Sequence, residues 1–121
     1  MKYLFISIFF FTYLNGQEKT FTISFGSCHK HTKPESDQIL EAVATEKPNV
    51  FVWLGDVVYG KDGDAADLTT KYNQLKNKSS YKKLLQQTKV LAIWDDHDYG
   101  INNGDSNYKN KTKSLIDFSA F

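Results

Sequence analysis

Two short apolar runs, residues 50–54 (VFVWL) and 90–94 (VLAIW), constrain the fold of this chain more than any other feature. Neither run alternates polar with apolar residues, and five residues are too few for a buried helix, so each reads as a strand covered on both faces. A third strand has a different pattern. Phe21, Ile23 and Phe25 alternate with Thr20, Thr22 and Ser24, a period of two that ends at Gly26. Between the strands the period lengthens. Pro34 and Ser36 open a helix, with Glu35 and Asp37 near the positive end of its dipole. Its apolar face is Ile39, Leu40, Val43 and Ala44, and Pro48 stops it. Leu68, Tyr72 and Leu75 predict a second helix, and residues 81–87 a third. A further helix is predicted over residues 108–121, beyond a turn-rich stretch at 100–107. Strands separated by helices place the chain in the α/β class, with a mainly parallel sheet.

The 121 residues are 40% hydrophobic and 24% charged, which suits one globular domain or part of a larger one. The formal net charge is only +1, so the chain lacks the basic excess of a nucleic-acid-binding patch. All fifteen cations are Lys, and without Arg any phosphate has to be met by Lys, backbone amides or metal. A single Cys excludes an internal disulfide.

The N-terminus has its own character. Met1 and Lys2 precede an almost unbroken apolar stretch at residues 3–14, which Asn15 and Gly16 end. A basic start, a short apolar core and a small residue form the pattern of a secretory signal peptide over residues 1–16. The apolar stretch is shorter than the roughly 20 residues a membrane-spanning helix needs. The expectation is therefore a secreted or periplasmic chain, residues 17–121, with no stable membrane span once the signal is removed. Cys28 lies too far beyond the apolar core to be a lipid attachment site.

The residues able to do chemistry follow the three strands. Cys28, in the stretch Cys28-His29-Lys30-His31, follows the first; Asp56 and Tyr59 follow the second; Asp95-Asp96-His97-Asp98 follow the third. In open α/β sheets ligands bind beyond the carboxyl ends of the strands, so side-by-side strands would bring all three groups to one edge. Gly55 permits a sharp turn that presents Asp56, whose two oxygens can bridge two cations. A hard ion such as Fe3+ can add a phenolate from Tyr59 by lowering its pKa. The alternative for this pair is a turn-forming Asp and a packing Tyr. Three acids and a His in four positions repel one another unless cations balance them, although a solvated acidic turn also fits. There one Asp can ligate metal while His97 donates a proton to a leaving oxygen. Cys28 reads as a metal-binding thiolate, a nucleophile or an inert buried Cys, and His29 and His31 read as solvent-facing. Residues 62–67 lack the Gly and Glu of a calcium loop and read as solvated.

Taken together, Phe25-Gly26-Ser27-Cys28, the run from Phe51 through Gly55-Asp56 to Tyr59, and Trp94-Asp95-Asp96-His97-Asp98-Tyr99-Gly100 resemble the PhoD-like alkaline phosphatases of the calcineurin-like metallophosphoesterase superfamily. The resemblance covers residues 21–105 in order and spacing. It implies a four-layered α/β/β/α sandwich, of which this chain would be the N-terminal half, with a two-metal site holding Fe3+ and Ca2+. By the same resemblance Cys28 and Tyr59 are iron ligands, Asp56 bridges the metals, Asp96 binds the second metal, His97 is the catalytic imidazole and Asp98 supports it. The role of Asp95 stays open. The implied activity is hydrolysis of phosphate mono- or diesters. Family members continue past this point into a second half that supplies further His and Asp ligands, so the chain is expected to be a fragment. Half a sandwich would leave one apolar sheet face exposed. The rival readings are a secreted metal-binding or relic protein without catalysis, and a Cys28 hydrolase.

Overall fold

The computed structural model describes residues 19–121. The expected signal peptide, residues 1–16, lies outside the described residues. Three strands, β1 (Ile23–Gly26), β2 (Val50–Leu54) and β3 (Lys89–Ile93), form one parallel sheet in the order β1-β2-β3. Helix α1 (Pro34–Glu46) connects β1 to β2, and α2 (Ala65–Asn77) and α3 (Ser79–Gln87) connect β2 to β3. A single-turn helix, α4 (Asp96–Tyr99), follows β3, and α5 (Lys111–Ala120) ends the chain. The α/β class and the parallel sheet agree with the sequence reading; α4 does not appear in it.

Local chemistry explains the boundaries. Pro34 opens α1, where its missing N–H costs nothing. Lys47, in the left-handed conformation, closes the helix ahead of Pro48. Asp64 caps α2 by accepting hydrogen bonds from the backbone N–H groups of Ala66 and Asp67. Ser36 is no cap; its hydroxyl donates to the carbonyl of Lys30 at 2.6 Å, tying the start of α1 to the loop after β1.

The register Phe25↔Val52↔Leu91 and Gly26↔Trp53↔Ala92 sorts the sheet into two unequal faces. One carries Phe51 and Trp53, buried against Leu40 and Ala44 of α1, Leu68, Tyr72 and Leu75 of α2, and Tyr81 and Leu84 of α3. Phe118 and Phe121 pack on the edge of this core, where Phe121 stacks on Tyr81. Trp53 and Phe51 meet edge to face at 4.8 Å. The other face carries Ile23, Phe25, Leu54, Leu91 and Ile93, all exposed, with Phe25 at 68% and Ile93 at 58%. The expectation that β2 and β3 are covered on both faces is therefore corrected. Every described helix with a buried apolar stripe packs on the Trp53 side, and apolar content without alternation could not reveal that only one side has a cover.

The rim of the sheet depends on Gly55, whose φ of +93° turns the chain immediately after β2. A Cβ at this position would lie 2.5 Å from the Cβ of Asp95, so the segments leaving β2 and β3 approach too closely for any other residue. Gly55→Ala is expected to lower the free energy of unfolding by roughly 2–4 kcal/mol, combining backbone strain with overpacking. Urea denaturation of the two proteins measures it, and an unchanged midpoint would contradict the close approach.

Candidate metal centre

The three chemically active groups leave the three strands side by side and do converge. The Cys28 N–H donates to the carbonyl of Gly55 at 3.3 Å, and the His29 N–H to that of Asp56 at 2.9 Å, which joins the first two turns. Cys28 and Asp56 both adopt left-handed backbone, φ 54° and 52°, a conformation unfavourable for residues with a Cβ. Such strain persists only where neighbouring structure enforces it, and it gathers at functional sites.

Asp56 lies at the centre. Its Oδ2 accepts from the Tyr59 hydroxyl at 2.9 Å and faces the Cys28 thiol at 3.8 Å. Its Oδ1 accepts from the backbone N–H of His97 at 3.3 Å. Asp56, Asp96 and His97 each offer a ligand atom, all within 4.8 Å of one another. Among the described residues neither Asp56 nor Asp96 forms an ion pair with a lysine. Two carboxylates, a thiol, a phenol and an imidazole without a paired cation are a donor set that suits a positively charged ion.

The protonation states follow from these contacts. Burial, then the hydrogen bond to Asp56, hold the Tyr59 phenol well above its ordinary range, so without metal it stays protonated and donates. Burial would raise Asp96, but the backbone N–H of Asn103, the neighbouring His97 and further hydrogen bonds outweigh it and hold the carboxyl below its usual range. The His97 ring rests on Tyr59 with centroids 4.3 Å apart.

Asp98 plays a part different from the one expected. Its Oδ2 accepts from the N–H groups of Asp56 at 2.7 Å and Asp95 at 3.1 Å, and its Oδ1 from the Val57 N–H at 3.1 Å and the Tyr72 hydroxyl at 2.7 Å. The fully buried carboxyl supports the turn that presents Asp56, and it makes no hydrogen bond to the His97 side chain. Burial pushes it above the ordinary carboxyl range, while these four donors pull in the opposite direction. The expectation that Asp98 supports His97 directly is corrected: the first turn of α4 directs Asp98 into the core, away from the rim. Asp95 and Asp98 form a reciprocal capping box around α4. Two acids three positions apart, Asp95 and Asp98, were the available signal for this cap.

Other expectations fall differently. Cys28 is exposed, which removes the inert buried reading, and its thiol faces the Asp56 carboxylate, with no imidazole within hydrogen-bonding distance to activate it as a nucleophile. His29 and His31, expected in solvent, are 7% and 2% exposed. His29 packs on Trp53 with ring centroids 5.2 Å apart, and His31 meets Gln74 of α2 at 3.2 Å. Sequence reasoning missed both, because a polar loop after a strand gives no sign that it will fold back over the core. No helix among the described residues is long and apolar enough to cross a membrane. Comparison with known protein families, with curated proteins and with solved structures finds nothing that matches this chain.

Two measurements test the supports of the centre. Tyr72→Phe removes one of the four donors to Asp98 and is expected to cost about 1–2 kcal/mol of stability, read by denaturant unfolding. Burial lowers the pKa of both His29 and His31 below the ordinary 6.5, so folding favours their neutral forms. Their contribution is complete above the unfolded-state value and is lost as pH falls through it toward the lowered folded-state values. The unfolding free energy should therefore decline from pH 7 to pH 5, with a shallower decline in His31→Asn. Identical slopes in the two proteins would show that His31 takes no part.

Proposed function

We propose that this chain is the N-terminal part of an exported, PhoD-like metallophosphoesterase that hydrolyses phosphate mono- or diesters. The observation that carries the reading is the placement of Asp56, with Cys28 and Tyr59 at one oxygen and the His97 backbone beside Asp96 at the other. With the Cys28 and Tyr59 side chains on one side and ligand atoms of Asp96 and His97 within 4.8 Å on the other, the Asp56 carboxylate is placed where a bridge between two cations would sit.

In this reading Cys28, Tyr59 and Asp56 would hold Fe3+, and Asp56 and Asp96 would hold Ca2+, the thiolate and phenolate suiting the more polarising ion. When bound, such ions supply positive charge to the phosphate oxygens and lower the pKa of water, a role the missing arginines cannot fill. His97, half-buried against Tyr59, is the proton donor for the leaving alcohol. Asp98 acts as a positioning residue that keeps Asp56 turned toward the rim. The four-layered sandwich belongs to the same proposal: a second sheet packed on Ile23, Phe25, Leu54, Leu91 and Ile93 would cover the open apolar face and complete the ligand set.

In a full-length version of the protein, Asp56→Asn is expected to abolish metal uptake and phosphoesterase turnover together, whereas His97→Gln should keep the metal and lower turnover about 100-fold. Elemental analysis and hydrolysis of an aryl phosphate, with and without chelator, provide the readout. Hydrolysis unaffected by chelation or by Asp56→Asn would overturn the proposal. Metal bound without hydrolysis would favour a secreted metal-binding protein that does no chemistry.

A further inference from the structure

A phosphate oxygen turned away from the metals would need a further cationic partner, and the chain has only lysine side chains to offer one. Five lysine ammonium groups are engaged elsewhere. Lys71, Lys78 and Lys113 pair with Asp67, Asp37 and Asp117, and Lys76 and Lys111 donate to the carbonyls of Ala120 and Ser106. Lys30 differs. Its Nζ lies 5.5 Å from the centroid of the Tyr59 ring, the ring whose hydroxyl donates to Asp56. It forms no ion pair among the described residues.

The backbone of Lys30 is held while its side chain reaches outward. Its carbonyl accepts from the Ser36 hydroxyl at 2.6 Å and from the Lys33 N–H at 2.8 Å, which anchors the residue to the start of α1. The stem then extends over Tyr59, with the ammonium one ring away from the centre of the donor cluster. A cation over a single half-buried tyrosine ring is held weakly, and an incoming phosphate oxyanion offers it a stronger partner.

We propose that Lys30 is a substrate-binding residue, its ammonium leaving the Tyr59 ring to hold a phosphate oxygen turned away from the metals. This rests on the metallophosphoesterase reading, because without metal the carboxylates of the rim would repel the anion. The ligand chemistry is a tetrahedral phosphate oxyanion, whether free phosphate or the terminal group of an ester. A protonated amine has no lone pair for a metal, so Lys30 contributes to the anion and not to the cation.

Phosphate affinity and metal affinity should therefore respond in opposite directions to Lys30→Gln. Calorimetric titration of the chain with Mn2+, a hard ion suited to oxygen ligands, is expected to give equal or slightly tighter binding in Lys30→Gln, since a nearby positive charge has gone. Titration of the Mn2+-loaded proteins with inorganic phosphate is expected to show about tenfold weaker binding in Lys30→Gln, and recovery of most of the loss in Lys30→Arg. Thermal unfolding should be the same in all three. Phosphate affinity unchanged by Lys30→Gln in a protein that takes up Mn2+, or phosphate and Mn2+ affinities falling together, would overturn the assignment of Lys30 alone. A parent chain that takes up no Mn2+ would instead overturn the metal reading on which it stands.

Discussion

The buried carboxyl of Asp98 holds the rim of this sheet together. Two oxygens satisfy the N–H groups of Asp56 and Val57 after β2, the N–H of Asp95 after β3, and the hydroxyl of Tyr72 from α2. Burying such a group costs several kcal/mol unless its lone pairs are used, and here four donors use them. Parallel strands cannot be joined by tight hairpins, so the ends of β2 and β3 have no covalent reason to stay in register. A side chain shared by both turns and by the crossover helix supplies that reason.

The chemical character of the rim follows from this tie. With Asp98 holding the turn and Gly55 allowing the close approach to Asp95, Asp56 sits in left-handed backbone and its largely buried carboxylate faces the Cys28 thiol and the Tyr59 hydroxyl. Cys28 reaches the same place through its own left-handed turn, hydrogen-bonded to Gly55. The core-facing acid is spent on structure, and the acids that remain at the rim, Asp56 and Asp96, have no lysine partner among the described residues. Tyr59 connects the two kinds of charge, donating to Asp56 through its hydroxyl and carrying Lys30 on its ring.

Much of this was legible in the residues themselves. The VFVWL run became β2 without a change of boundary, and Leu68, Tyr72 and Leu75 all entered the core at helical spacing. Gathering of the three chemical groups at one edge followed from a parallel order of strands. What misled was local resemblance between residues with different duties. In Asp95-Asp96-His97-Asp98 the three acids look alike in sequence, yet a single turn of helix sends Asp98 inward, uses Asp95 as a cap and leaves Asp96 beside His97 at the rim. His29 and His31 misled in the reverse sense, since polarity suggested solvent while the loop carried them onto Trp53 and Gln74.

The sequence by itself determined the class of fold, the order of its strands and longer helices and the segments that meet at the strand ends, because hydrophobic period and glycine placement are local properties. Only the tertiary structure decided which face of the sheet is covered, which acid is buried as a support and which lysine lies beside the cluster. Those depend on direction in space, and one turn of helix or one step along a strand reverses it without changing the composition of the segment.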